Sequence, residues 1–413
     1  MKNLLYCHSF SLLKSAGFHT RKNPALLLSL LIILFSKSTM AQVGIGTSTP
    51  QAFFHVVEDK DVLFGYDLTG SGKKLVWFGN KTAFRAGLVT SSQWHPINVG
   101  ELSFAFGKDA QATNMFSIAM GEVSKASGKG AVAIGNTNIA SGESAIAMGK
   151  QSFAGGNYSV ALGNTNSAIG DYSVALGYGS DASGDYSTAM GHTTTTTGKY
   201  TTAIGFNSWS SGDYSVTLGS NCHTMLKKGS FAFGDATQVT NGEFLKPDLD
   251  NQMVMRFNSG YKLFTNYQAT IGVALAHGGN AWTVLSDSTR KENFRKADGA
   301  DFLAKISKMK LGSWNYKGQD VTTFRHYGPM AQDFFAAFGT DSLGTIGEPK
   351  SINQADFDGV NLIAIQALIQ EVNLLKAELA ASKQKESVSN ARLEKIEAML
   401  TERSAQPALT FLP

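Results

Sequence analysis

The chain is poor in the residues that usually tie an exported protein together. Cys7 and Cys222 are its only cysteines. Cys7 falls in a stretch that reads as removable, so Cys222 would stand alone, which excludes an internal disulfide framework and a cysteine metal cluster. A lone cysteine of this kind reads as a small buried residue rather than a nucleophile. Proline is scarce, at 8 of 413 residues, against 43 glycines. That balance excludes collagen and proline-rich disorder, and it points to many tight turns between short strands. The one long apolar run, Ala25 to Phe35, is eleven residues, too short to span a bilayer.

That run is preceded by Lys2, Lys14, Arg21 and Lys22 and followed by Thr39-Met40-Ala41, the layout of an export signal with a small-x-small cleavage site. The stretch before it is long for a signal, which places the expected translation start downstream of Met1. No later segment is apolar enough to cross a membrane as a helix, so the mature chain is expected to be soluble or attached by a partner. Removing residues 1–41 takes away five Lys or Arg and no acid, leaving 31 basic residues against 32 acidic ones. A near-neutral chain carries no nucleic-acid footprint. At this length several modules are expected.

A strict internal repeat dominates the middle of the chain. The pattern apolar-Ala-apolar-Gly ends at Gly107, Gly121, Gly135, Gly149, Gly163, Gly177, Gly191, Gly205 and, with Thr217 for Ala, Gly219, always fourteen residues apart; a degenerate copy ends at Gly234, fifteen further on. A second series at Gly128, Gly142, Gly156, Gly170, Gly184, Gly198 and Gly212 keeps the same period. In Tyr158 to Gly163, residues 158, 160 and 162 alternate with 159 and 161, giving a strand with a larger apolar face and a small-residue face. Ser180 to Gly184 supplies a return arm with small residues at alternate places. Fourteen residues thus make two short strands and two turns, one coil of a flat solenoid whose neighbours bury each other. The small-residue face is expected to admit close approach by another chain.

These units resemble the head repeats of trimeric autotransporter adhesins, on Ser124 to Gly128 with Val132 to Gly135 and Ser180 to Gly184 with Thr188 to Gly191. The resemblance covers about 100 to 235 and implies a left-handed β-roll in which three chains share one axis. No membrane-spanning β-barrel is expected after the repeats, a departure from that family's pattern. Calcium-binding solenoids are disfavoured because neither the period nor the acids fit. Ice-binding arrays are disfavoured because the threonine cluster at Thr193 to Thr197, Thr201 and Thr202 does not recur.

Before the array, Val43 to Pro50 resembles the mature start of secreted tail-fibre-like proteins. Asp67 to Lys73 reads as a hairpin turn between Val62-Leu63-Phe64 and Leu75 to Phe78. His55 and His95 are far apart in sequence and read as structural. After the array, Met253, Met255 and Phe257 alternate with Val254 and Arg256. Asn258-Ser259-Gly260 then turns the chain, and Tyr261 to Phe264 is expected to return along it.

From Leu285 the charge rises, glycine falls, and Leu362, Ile365, Leu368, Val372, Leu375 and Leu379 recur at spacings of three and four, with the phase resumed at Leu393, Ile396 and Leu400. Ser286-Asp287-Ser288-Thr289-Arg290-Lys291-Glu292-Asn293-Phe294 resembles the opening of the endosialidase-type intramolecular chaperone domain of phage tail spikes. Trp314-Asn315-Tyr316 and the stretch His326 to Asp333, with Gly328 and Gln332 in the Gly-x-x-Ala-Gln place, continue the resemblance, and the amphipathic helix completes the order over about 285 to 400. The resemblance implies a Ser–Lys autoprotease with Ser286 as nucleophile, Lys291 as base, the cut between Leu285 and Ser286, and Asp287, Asn293, Gly328 and Gln332 as supporting motif residues. One departure stands out: Thr289 occupies the place of the family's usual Arg, and Arg290 is displaced by one. His326 is a weaker candidate base.

The expected fold is mainly β, a trimeric left-handed β-roll of 14-residue repeats followed by a mixed α/β chaperone domain with a C-terminal coiled-coil helix. The expected divisions are a signal peptide (1–41), a small β module (42–98), the β-roll (99–240), a β-rich neck (241–284), the chaperone autoprotease core (285–360), a helical coiled-coil segment (361–402) and a tail (403–413). The expected function is that of an exported, extracellular or cell-surface homotrimeric fibre or adhesin that frees itself of its chaperone. No cofactor, metal or nucleic acid is expected, and any host-surface or glycan ligand is unnamed by the sequence. The alternatives are a glycan-degrading tail-spike-like enzyme and an envelope scaffold with an inactive trimerisation domain.

Overall fold

The computed structural model describes residues 42–237, 243–284 and 286–404. The expected export signal therefore lies outside the described residues, as does Leu285. The chain forms two compact units, Met1–Ser259 and Gly260–Pro413.

The first unit is built on the repeat. Each coil contributes a five-residue strand, such as Val160–Asn164, and a two-residue strand, such as Ser167–Ala168. Successive coils pair in parallel at a shift of fourteen: Val160 faces Val174, Gly163 faces Gly177, and Ser167 faces Asp181. The shift becomes fifteen only at the degenerate coil, where Gly219 faces Gly234. The longer strands join a 14-stranded sheet and the shorter ones an 8-stranded sheet.

The two faces of the strand are used differently from the sequence expectation. The small-residue face does not wait for another chain; it is the interior. Ala161, Ala168, Ala175 and Ala182 are fully buried, as is Ser159, and the alanine column runs from Ala105 to Ala189 as one core. The two walls of so thin a coil lie too close for larger side chains. The larger residues, Val160 and Leu162 among them, point outward and stay half-buried.

A second buried column closes the polar accounts of the turns. Ser124, Asn138, Ser152, Asn166, Ser180 and Ser208 each donate to the carbonyl of the glycine eleven residues on, with Asn138 Nδ2 to Gly149 O at 2.7 Å and Asn166 Nδ2 to Gly177 O at 2.8 Å. Buried carbonyls left without partners would each cost about 1–3 kcal/mol, so small polar residues are required there. On the opposite turn, Asn157 accepts from the Glu143 N–H, Asp171 from Asn157, and Asp185 from Asp171, stitching coil to coil.

Larger residues close the N-terminal end. Val62–Phe64 pairs antiparallel with Gly72–Phe78, which pairs with Ala83–Val89, and that strand joins the first coil strand in parallel. Val76, Phe78, Ala83 and Val99 form a core there. Arg85 stands opposite Ala105, in the alanine column, and is fully buried. Its guanidinium donates to Phe84 O, Ser103 O, Ser103 Oγ and Ala112 O, tying the cap to the first coil. Trp94 Nε1 donates to Ala110 O at 2.7 Å in the same cap. Covered ends are what a solenoid needs to avoid edge-to-edge association.

At the other end the neck differs from expectation. Met253–Arg256 adds in parallel to Phe231–Gly234 and so extends the solenoid sheet. Gly260–Phe264 does not return along it; it pairs antiparallel with Gly272–Ala276, which pairs with Thr283–Val284. The strand at 253–256 is drawn to the open edge of the coil above, so Asn258-Ser259-Gly260 marks the boundary between the units.

In the second unit, helices α1 (Gly299–Lys308), α2 (Ala331–Phe338) and α3 (Gln354–Ser404) enclose a small core of Phe334, Phe338 and Val360, with Phe302, Ile306 and Phe357 packed on it. Gly312–Trp314 pairs antiparallel with His326–Gly328. Helix α3 begins at Gln354, before the expected 361, because Asn353 Oδ1 accepts the Ala355 N–H at 2.9 Å and caps it. It runs unbroken for 51 residues, and only Val360 and Ala364 on it are buried. The recurrent Leu362, Ile365, Leu368, Val372, Leu375 and Leu379 are all exposed.

Candidate functional site

The candidate dyad lies in an extended segment carrying one turn of 3-10 helix, Ser288–Arg290. Asp287 starts that turn: its carboxylate accepts the Thr289 N–H at 2.9 Å, and its carbonyl accepts the Arg290 N–H at 3.1 Å. The Thr289 N–H and hydroxyl hold the Asp287 carboxyl below the usual carboxylate range. The turn shortens the chain between Ser286 and Lys291. Across it Lys291 Nζ donates to Ser286 Oγ at 2.7 Å. The expected nucleophile and base are therefore within hydrogen-bond reach of one another, the first geometric requirement of such a pair. Both side chains are exposed in the single chain.

Thr289, which stands where an arginine was expected, lies in the turn and holds Asp287. Arg290 is engaged elsewhere: its Nη1 donates to Thr270 O at 3.3 Å, and its Nε lies 3.9 Å from the Asp287 carboxylate. It ties the dyad segment to the loop between the first two strands of the three-stranded sheet. Asn293 takes a left-handed backbone with φ +59°, bending the chain after Lys291. Phe294 and Lys296 continue along a groove of about 850 Å³ against α3, lined also by Leu303, Ile363 and Leu374.

The remaining motif residues gather at a second place. Gly328 and Gln332 line a cavity of about 730 Å³ with Trp314, Asn315, Tyr327 and Phe357. His326 stacks on Trp314 at 4.7 Å and meets Tyr316 edge-on at 5.6 Å. His326 Nε2 and Trp314 Nε1 are both buried without a hydrogen-bond partner. The Ser286 hydroxyl is held by Lys291, and the imidazole packs in this aromatic cluster. Asn315, Gly328 and Gln332 line this cavity, and Ser286 and Lys291 are not part of its lining.

Sequence reasoning missed one ordered surface feature. Tyr158, Tyr172, Tyr186, Tyr200 and Tyr214 all take left-handed φ between 57° and 59°, at one corner of successive coils. Their rings stack at 4.9 to 5.1 Å with interplanar angles of 12° or less. Gly-x-Tyr-Ser/Thr recurring at the period of the glycine columns is the signal that would have exposed it.

With this geometry in view, comparison with protein families assigns both segments. Overlapping stretches from 99–122 through 197–221 match the YadA head domain repeat, and residues 286–341 match the chaperone of endosialidase. The chain thus carries adhesin-type head repeats followed by an endosialidase-type chaperone domain. No curated protein matches it. Among the described residues no helix is long and apolar enough to cross a membrane.

Proposed function

We propose that the protein is an exported homotrimeric fibre or adhesin whose C-terminal domain aligns three chains and then severs itself between Leu285 and Ser286. The observation that carries the reading is the 2.7 Å contact between Lys291 Nζ and Ser286 Oγ inside the segment matched by the endosialidase chaperone family. Two apolar surfaces support assembly. One is the half-buried stripe that includes Val160, Leu162, Val174 and Leu176, and the other is the exposed heptad face of α3. Contiguous apolar surface of this kind marks an interaction face.

Neutral Lys291 takes the Ser286 hydroxyl proton as Oγ attacks the Leu285 carbonyl carbon. The tetrahedral centre collapses with that proton passing to the Ser286 nitrogen, leaving an ester between Leu285 and Oγ. Water then cleaves the ester, giving a Leu285 carboxylate and restoring the Ser286 hydroxyl, with the Ser286 amine already free as the new N-terminus. A hydroxyl is a weak nucleophile until a base stands ready. A solvated lysine is an ammonium, with an ordinary pKa of about 10.4, and burial disfavours that charged form. The subunit contact supplies the burial, so assembly completes the catalyst. Intact-mass measurement on purified protein, together with light scattering, tests the reading. It expects fragments meeting at 285/286 and a mass of three chains; a full-length monomer overturns it. Thr289 in the place of the family's arginine favours a second reading, a trimerisation domain that never cuts, which the same experiment reports as an uncut trimer.

A further inference from the structure

We propose that the tyrosine column is a modification site: one-electron oxidation couples neighbouring phenols of one chain into dityrosine, linking adjacent coils covalently in pairs. Tyr158, Tyr172, Tyr186, Tyr200 and Tyr214 are each about half exposed, at 47 to 54%, so an oxidant reaches their edges. Adjacent rings lie 4.9 to 5.1 Å apart and within 12° of parallel. Equivalent atoms of parallel, translated rings are separated by about the same distance, so each ortho carbon has a counterpart one coil away. Tilting of the side chains closes the remaining gap. The backbone corners are fixed by the coil ladder, with the Tyr172 N–H bonded to Asn157 O at 2.8 Å and the Tyr186 N–H to Asp171 O at 2.8 Å. Partners are thus held together before any radical forms, the condition under which coupling within a chain outruns encounter between chains.

The chemistry balances with a peroxide and a haem peroxidase as the oxidant. Each of two phenols gives up one electron and its hydroxyl proton. The two phenoxyl radicals join through their ortho carbons, and the displaced ortho hydrogens move to the oxygens and restore both rings. The two electrons and two protons reduce one peroxide to two waters. Stacked faces are covered by neighbours, so the column presents ring edges and hydroxyls rather than a flat platform for a sugar.

The molecule carries its own controls. Tyr178 is equally exposed, but it stacks on His192 at 4.9 Å, and His192 stacks in turn on Phe206. Tyr66 and Tyr267 are almost wholly exposed and sit outside the column. The test treats the full chain with peroxidase and hydrogen peroxide and reads dityrosine fluorescence, denaturing gels and peptide maps. Links between column tyrosines fourteen residues apart, within one chain and with loss of two hydrogens each, are expected. The Tyr172→Phe/Tyr200→Phe double variant keeps a stacked column but separates the remaining phenols by two coils, and it is expected to lose those links. Links only between chains, links only through Tyr66, Tyr178 or Tyr267, or undiminished intrachain coupling in the double variant would overturn the proposal.

Discussion

A β-carbon on Gly163 would lie 2.1 Å from the carbonyl oxygen of Gly177 in the next coil, and the backbone at Gly163 has φ +123°. Both the space and the conformation exclude a side chain there. Gly179 also has positive φ, +62°, but its added carbon would meet nothing closer than Thr193 Cγ2 at 3.6 Å. The equivalent corners in other coils hold Thr165, Thr193 and Asn207 in the same left-handed conformation. Gly163→Ala is expected to cost more than about 2 kcal/mol through strain and displaced backbone. Gly179→Asn should change stability by less than about 1 kcal/mol. Urea denaturation of the two variants checks the contrast, and equal losses would contradict it.

The period was legible in the sequence because the steric demand behind it is local: only glycine fits where Gly163 approaches Gly177, so the columns appear letter by letter. Which face lies inside was not legible. Alternation separates Ala161 from Val160 and Leu162 but does not say how far apart the two walls stand. Only that spacing, set by turns at both ends, makes alanine the core and sends the larger residues outward. The return of 260–264 was misjudged for a related reason: pairing depends on which edge is open, and the edge open to 253–256 belonged to the coil above. Ser286 and Lys291 were legible as a motif, but their contact depends on the turn that Asp287 caps.

Removing one whole coil should be far better tolerated than removing half of one. Deleting Asn164 to Gly177 brings Gly163 into the place of Gly177 and keeps every pairing of the 14-residue shift. Deleting seven residues puts five-residue strands against two-residue ones and exchanges buried and exposed positions. Soluble yield and thermal unfolding of the two deletions provide the measurement. Equal behaviour would count against the register.

Cys222 should be inert in the folded chain and should make stability fall at high pH. It is fully buried, and burial pushes its thiol from 9.0 up to about 11. Alkylation near pH 8 is therefore expected to be at least ~100-fold slower than for an unfolded control, since the thiolate is the reactive form. Below about pH 9 the thiol is neutral in both states. Between about 9 and 11 only the unfolded state loses its proton, so stability drops as pH rises through that window. Cys222 follows Ser208 by fourteen residues, and Ser208 donates to Gly219 O at 3.0 Å. The Cys222 thiol donates to Ser220 O at 3.4 Å and Leu218 O at 3.5 Å, so Cys222→Ser keeps acceptors for its hydroxyl and should be neutral to within about 1 kcal/mol. It should also remove this group's part of the pH dependence, which comparison of the two unfolding curves checks.

Self-cleavage should depend on residues that never touch the dyad. Leu368 and Leu375 lie on the exposed apolar face of α3. Lysines there would place like charges along the contact between helices and oppose assembly. If association supplies the burial that frees the Lys291 amine, Leu368→Lys/Leu375→Lys should stay uncut and monomeric although Ser286 and Lys291 are unchanged. Ser286→Ala and Lys291→Ala should give the opposite pairing, full-length chains that still form trimers. A Ser286→Cys chain keeps a nucleophile and separates loss of the attacking group from loss of the base. Intact mass and light scattering on these proteins report cutting and stoichiometry together. Cleavage of the monomeric α3 variant at the wild-type rate would mean that the dyad works without a partner. Cleavage of Lys291→Ala at the wild-type rate would mean that another base serves Ser286, whatever the family of the domain.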